Sequence, residues 1–245
     1  MIADPAGFIR SNTELIAPPL VPEIRLHLAT EVVPLWRKTE EELEAEGVPP
    51  PYWAFAWAGG QALARYVLDH RESVKDRRVL DFGSGSGLVA IAAALAGARE
   101  TLAADIDPFA AQAITLNIEA NIHWERAHPW ASKEDDAQGC ARSQWGKVEI
   151  VTTDVIGSPC SWDVILIGDM CYERPLAERL LLWLEHCAQA GATVLLGDPG
   201  RSYFPKSGVT ELATYRVQTT RELEDRDIRE TRVYRLDAVR TAATP

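Results

Sequence analysis

Between residues 78 and 87 the chain reads Arg-Val-Leu-Asp-Phe-Gly-Ser-Gly-Ser-Gly, an apolar strand that reaches a carboxylate and runs straight into three glycines. Such a stretch has one economical fold: strand, tight turn, helix. Gly83, Gly85 and Gly87 carry no Cβ, so the backbone can turn sharply and lie against a ligand. The helix expected from Leu88 to about Ala96 offers free N–H groups at its start. A pyrophosphate site has the spacing G-x-G-x-x-G and bare backbone. Here the spacing is G-x-G-x-G, and Asp81 at the strand end would repel phosphate. A carboxylate there suits a ligand with a cationic end.

S-adenosyl-L-methionine, with its ammonium and sulfonium, is the common cofactor of that kind, and the loop reads as a methyltransferase cofactor site. An ordinary glycine-rich turn that binds nothing shares the local pattern. A second acid adds weight: Asp105 ends an apolar stretch eighteen positions after Gly87, close to the spacing of an acid that binds ribose hydroxyls. Asp107-Pro108 then reads as N-cap and first residue of a helix whose apolar face carries Phe109, Ala113, Leu116 and Ala120.

From Val79 onward short apolar strands alternate with helices: strand 79–82, helix 86–96, strand 101–105, helix 108–121, strands 148–152 and 163–167, helix 175–188, strand 192–197. This rhythm predicts an α/β doubly wound, Rossmann-like sheet with ligand at the carboxyl ends of the strands. Tyr215–Gln218 and Thr231–Leu236 predict a closing hairpin with one C-terminal antiparallel strand, the latter segment at a sheet edge. Residues 1–50 read as an accessory segment, with a short strand in Glu23–Leu28 and a charged helix over Val33–Glu46. Trp53 and Trp57, followed by Gly59-Gly60, stand where they could wall the cofactor crevice. Residues 123–146 are charged and aperiodic and read as a surface insertion. At 245 residues a single domain spanning 1–245 is expected.

The net charge of −11 disfavours a phosphate-tracking surface, so a protein or small-molecule substrate is expected rather than nucleic acid. Four cysteines without a C-x-x-C pair, and five histidines without ligand spacing, predict free thiols and no metal. No signal core, transit character or run of roughly 20 apolar residues is visible, which predicts a cytoplasmic protein without a membrane partner.

Asp81 to Gly87 and Asp105 together resemble the class I, seven-strand methyltransferases. Pro51 to Leu63 and the Asp169-Met170-Cys171-Tyr172 stretch are similar to protein lysine methyltransferases that carry a D-x-x-Y motif, closest to the electron transfer flavoprotein β-subunit lysine methyltransferases. Phe8–Thr13, Pro18–His27 and Gly197–Pro205 share the resemblance, while residues 123–146 have no family equivalent. The resemblance implies that Asp81, Gly83, Gly85 and Gly87 hold the methionine end of S-adenosyl-L-methionine, Asp105 its ribose and Asp154 its adenine amino group. Trp57 and Gly60 would line the same pocket, and S-adenosyl-L-homocysteine would leave it.

Asp169, at a strand end, would attract the substrate ammonium, and Tyr172 would lay its ring against the amine. The implied substrate is lysine on the electron transfer flavoprotein β subunit. A methyltransferase for another protein or a small amine would share every cofactor residue, and a non-catalytic binding module remains the alternative from another class. A nicotinamide oxidoreductase is disfavoured by Asp81.

Overall fold

The computed structural model describes residues 2, 4–30, 50–127, 146–219 and 226–238. The helix expected over Val33–Glu46 and most of the segment expected as an insertion lie outside the described residues. The chain opens with α1 (Pro5–Ser11), β1 (Glu14–Ile16) and β2 (Leu26–Leu28), then α2 (Ala58–Asp69). The alternating body follows: β3 (Arg78–Phe82), α3 (Leu88–Leu95), β4 (Glu100–Ala104), α4 (Pro108–Ala127) and β5 (Lys147–Val151). It continues with β6 (Val164–Gly168), α5 (Arg174–Gln189), β7 (Thr193–Asp198), β8 (Val209–Gln218) and β9 (Ile228–Leu236).

Seven strands form one sheet in the order β5-β4-β3-β6-β7-β9-β8, and β1 and β2 form a separate antiparallel pair. The first five are mutually parallel and β9 runs against β7, which gives the doubly wound sheet with its single reversed strand. Strand order reverses beside β3, whose neighbours are β4 and β6. That switch point opens a crevice at the carboxyl ends.

Period-two alternation sorts the strand residues into two cores. Val79, Val164, Leu166 and Leu195 join α2 and α3 on one face. Leu80, Phe82, Ile165, Ile167, Val194 and Leu196 join α5 on the other. Helix α3, Leu-Val-Ala-Ile-Ala-Ala-Ala-Leu, is apolar all round and almost wholly buried, and its alanines let it lie close to the sheet.

The larger differences from expectation involve α4, β8 and β9. Helix α4 continues past residue 121 to Ala127, because Asn117 and Asn121 on its buried side find partners instead of breaking it. Strand β8 begins at Val209 rather than near 215; its half-exposed residues give no clean apolar alternation, and pairing with β9 supplies the order. Segment 231–236 is not at the edge: β9 lies between β7 and β8, and Thr231 and Val233 are fully buried.

The start of α2 lies against the ends of β6 and β7 with no room for side chains. A Cβ on Gly197 would overlap the Gly59 carbonyl oxygen and sit 2.9 Å from Leu63 Cβ, and one on Gly168 would sit 2.9 Å from Gly60 Cα. Gly197→Ala is therefore expected to destabilise the protein by about 1–3 kcal/mol through overpacking. That corresponds to a fall in Tm of roughly 2–12 °C, read by thermal unfolding.

Candidate active site

Asp81 sits on β3 facing α3 and is 2% exposed. Its Oδ2 accepts from Ser84 Oγ at 2.5 Å and from Ala90 N at 3.0 Å. Gly87, the N-cap of α3, has φ 80° and no side chain to cap with, so the Asp81 carboxylate does the capping from the neighbouring strand. Burial pushes its pKa up to about 7 against those two hydrogen bonds, with the nearby Asp105 charge adding to the rise. Both hydrogen bonds fall on one oxygen, which leaves Oδ1 for a ligand.

The glycine loop is fixed from several sides. Gly83, Gly85 and Gly87 all have positive φ, and a Cβ on Gly87 would press within 3.2 Å of Ile114 on α4. Gly83 N and Ser84 N donate to the Ala104 carbonyl at the end of β4. A Cβ built on Gly85 meets nothing nearer than 3.8 Å, and one on Gly60 meets nothing within 4 Å, so both glycines front open space.

Asp105, just past β4, accepts from Gly85 N at 2.8 Å and Asp107 N at 3.0 Å, which ties the second strand end to the loop. Asp107 caps α4 through Phe109 N at 2.8 Å, as its Asp-Pro context predicts, and burial raises its pKa to about 6.

At the end of β6, Asp169 is 7% exposed and has φ 62°, a left-handed conformation uncommon outside glycine. One carboxylate oxygen accepts from Gly59 N at the start of α2; the other accepts from Arg201 Nε at 2.6 Å. The guanidinium carbon of Arg201 lies 6.0 Å from the centre of the Trp57 ring. Trp57 donates through Nε1 to the Tyr52 carbonyl at 2.9 Å, and the Tyr52 ring lies 6.1 Å from Trp57 and 5.9 Å from Tyr172. Tyr172 is 44% exposed, and burial of its phenol, with Tyr52, Glu173 and Asp105 nearby, holds its pKa above the usual value. Asp81, the three glycines, Asp105, Trp57, Gly60, Asp169 and Tyr172 thus come from the ends of β3, β4 and β6 and the start of α2.

Two further residues singled out from the sequence are engaged within the protein. Trp53 is 1% exposed and its ring stacks on Phe109 at 6.2 Å in the core, with its Cα 3.8 Å from a Cβ built on Gly85. Asp154, beyond β5, accepts from Ile156 N at 3.0 Å and from Arg179 at 2.7 Å in an exposed ion pair, and the Arg179 hydrogen bond lowers its pKa.

Sequence reasoning missed Asp198, Arg201 and Asn117. Asp198 ends β7 as Asp81 and Asp105 end or follow their strands, and the Asp-Pro-Gly-Arg run after it marks a turn on the same edge. Asn117 lies inside an apolar helical pattern, where its spacing alone gives no signal. It accepts from His27 N at 2.7 Å and donates to the Ser86 carbonyl at 2.8 Å.

Cys160, Cys171 and Cys187 are free thiols, and among the described residues no group of His, Cys, Asp or Glu is arranged to hold a metal. No described helix is long and apolar enough to cross a membrane.

Residues 61–158 match the family model described as ribosomal protein L11 methyltransferase. The chain is 42% identical over 204 residues to the electron transfer flavoprotein β subunit lysine methyltransferase of Danio rerio, covering 82% of this chain and 69% of that protein. The Xenopus laevis protein of the same name is 36% identical over 236 residues, covering 94% and 86%. The Homo sapiens protein is 40% identical over 201 residues, covering 81% and 67%. With its strand-end acids, glycine loop and relatives of this identity and coverage, the chain belongs to the electron transfer flavoprotein β-subunit lysine methyltransferase family.

Proposed function

We propose that this chain transfers methyl groups from S-adenosyl-L-methionine to lysine ε-amines of the electron transfer flavoprotein β subunit. The observation that carries the reading is the convergence of three strand-end carboxylates, Asp81, Asp105 and Asp169, with an aromatic wall at one switch-point crevice. The residues fit the cofactor on their own chemistry. Asp81 Oδ1 suits an ammonium, Asp105 suits ribose hydroxyls, and the open space before Gly60 and Gly85 admits a ligand against bare backbone. When bound, S-adenosyl-L-methionine supplies an electrophilic methyl group on sulfur.

Asp154 is the proposed partner of the adenine amino group; that role requires one of its oxygens to be shared with Arg179 or released by it. Asp169 collects the substrate ammonium and aims it across the crevice. A lysine amine has a pKa near roughly 10.4, so it must lose a proton before it can act as a nucleophile. The rings of Tyr172, Tyr52 and Trp57 strip water from the ammonium, which favours the neutral amine, and the departing proton goes to solvent. Tyr172 also holds the cation before that loss, a contact worth about 0.5–2 kcal/mol.

The direct experiment is transfer of labelled methyl from S-adenosyl-L-methionine to purified electron transfer flavoprotein. Label on β-subunit lysines is the expected result, and its absence with intact cofactor binding moves the substrate elsewhere. Asp169→Asn, which tolerates the positive φ and still accepts from Gly59, is expected to lower kcat roughly 10- to 100-fold while cofactor Kd changes little. Asp169→Ala also frees the start of α2, so it is expected to weaken cofactor as well as transfer.

Asp105→Ala should raise cofactor Kd by roughly 10- to 100-fold through lost charge-assisted hydrogen bonds, read by calorimetry. The Asp81 pKa of about 7 gives cofactor binding a pH dependence. Below that value the free site is protonated and a cationic ligand must expel the proton; above it the carboxylate is already charged. Affinity is therefore expected to rise between about pH 5.5 and 7.5, where an α-amino group stays largely cationic. Asp81→Asn should bind weakly across that range without the rise.

A further inference from the structure

The reading above brings a lysine ammonium to Asp169, and in the free chain a cation of the protein's own holds that place. Arg201 Nε lies 2.6 Å from Asp169 Oδ1, with the two side chains 20% and 6% exposed. The guanidinium carbon also lies over the Trp57 ring, 6.0 Å from its centre. A carboxylate partner and a nearby aromatic face are what a substrate ammonium would also seek.

The turn that delivers Arg201 is firmly built. Asp198 is 3% exposed, and its Oδ1 accepts from Gly200 N at 2.6 Å and Arg201 N at 2.7 Å. Asp198 Oδ2 is buried with no hydrogen-bond partner among the described residues, and its charge acts on the Arg201 guanidinium. The guanidinium is thus bonded to one strand-end acid, Asp169, and feels the charge of a second, Asp198, which Arg229 also feels. Phe204 N donates to the Arg201 carbonyl and Tyr203 N to the Cys171 carbonyl, which lays this loop across the segment bearing Tyr172.

We infer that Arg201 occupies the acceptor position as an intramolecular stand-in for the substrate lysine, and that the lysine must displace it from Asp169 to enter. This rests on the lysine-transfer reading. An almost buried carboxylate left without a cation is costly, so a resident guanidinium keeps Asp169 paired between turnovers. Entry then exchanges one cation for another on the same oxygen. Arginine suits the place because its guanidinium stays protonated, so it can rest there without taking a methyl group. Lysine differs in one decisive respect: it can release its proton.

The chain geometry supplies the test. A lysine side chain at position 201 would carry its Cε and Nζ where arginine carries Nε and Cζ, so R201K puts an ε-ammonium at the acceptor position. In that variant the ammonium loses a proton to solvent and its lone pair forms the N–C bond to the sulfonium methyl. The sulfur keeps the electrons of the broken S–C bond. R201K protein incubated with S-adenosyl-L-methionine is therefore expected to gain one or more methyl groups at position 201, located by peptide mass spectrometry. The rate should be independent of protein concentration, as a reaction within one molecule requires. R174K, whose parent guanidinium lies over Tyr203 instead, should gain none at position 174.

R201K that binds cofactor like the wild type but stays unmodified at 201 would overturn the inference, as would equal modification at 174 in R174K. If R201K fails to bind cofactor, R201Q decides. Removal of the competing cation should lower KM for electron transfer flavoprotein roughly 3- to 30-fold, because the open site is no longer a minor population. An unchanged or higher KM would reject the stand-in role. Wild-type protein assayed in parallel separates the two readings: if it methylates flavoprotein, a failure at 201 belongs to this inference alone, and if it does not, the substrate reading has failed.

Discussion

The contact of α2 with the carboxyl ends of β6 and β7 sets the geometry of everything around the crevice. It is a contact of backbone on backbone, possible only because Gly59, Gly168 and Gly197 carry no side chains. The Asp169 carboxylate then closes it by accepting from Gly59 N, where the N–H groups of a helix start are otherwise unpaired and the helix dipole favours a negative charge. Trp57 is the N-cap residue of that helix and Gly60 lies in its first turn, so the aromatic wall and the open floor of the site inherit their positions from this one junction. The positive φ of Asp169 is its local cost: a left-handed backbone at a non-glycine residue turns the carboxylate back toward the helix.

The carboxylates of the site serve two masters. Asp81 caps α3 and Asp105 ties the glycine loop to α4, while each stands at a strand end facing the crevice. The same oxygen chemistry that accepts a backbone N–H accepts a ligand's ammonium or hydroxyl. A binding role and a scaffolding role therefore do not compete as explanations of these residues.

Most of the sheet was legible because parallel strands buried on both faces must be apolar runs, and Val-Ile-Leu-Ile-Gly at 164–168 or Arg-Val-Leu-Asp-Phe at 78–82 has no other stable use. The glycine loop and Asp105 were legible because their spacing carries the turn geometry itself. The closing hairpin was half legible: β8 draws its order from pairing across the sheet, which leaves little trace in its own residues. Arg201 and Asn117 were not legible for a different reason. Each acts across a long separation, 32 residues from Arg201 to Asp169 and 90 from Asn117 to His27, and no local pattern encodes a partner that only the fold brings near. Trp53 packs its ring in the core while its backbone borders the glycine loop, a split that its position beside a motif does not reveal.

Asn117 is a strut with two ends. One end of its amide holds the backbone of β2 at His27 and the other holds the glycine loop at the Ser86 carbonyl, while Asn121, one turn along α4, grips both backbone groups of Arg25. The β1–β2 hairpin is thus fastened to the molecule by side-chain amides and apolar packing rather than by pairing with the main sheet. A rigid link of this kind transmits displacement in either direction. A pull on the hairpin is felt at the loop before α3, and a shift of that loop moves the N-terminal segment, so the two surfaces keep a common mechanical register although no strand joins them.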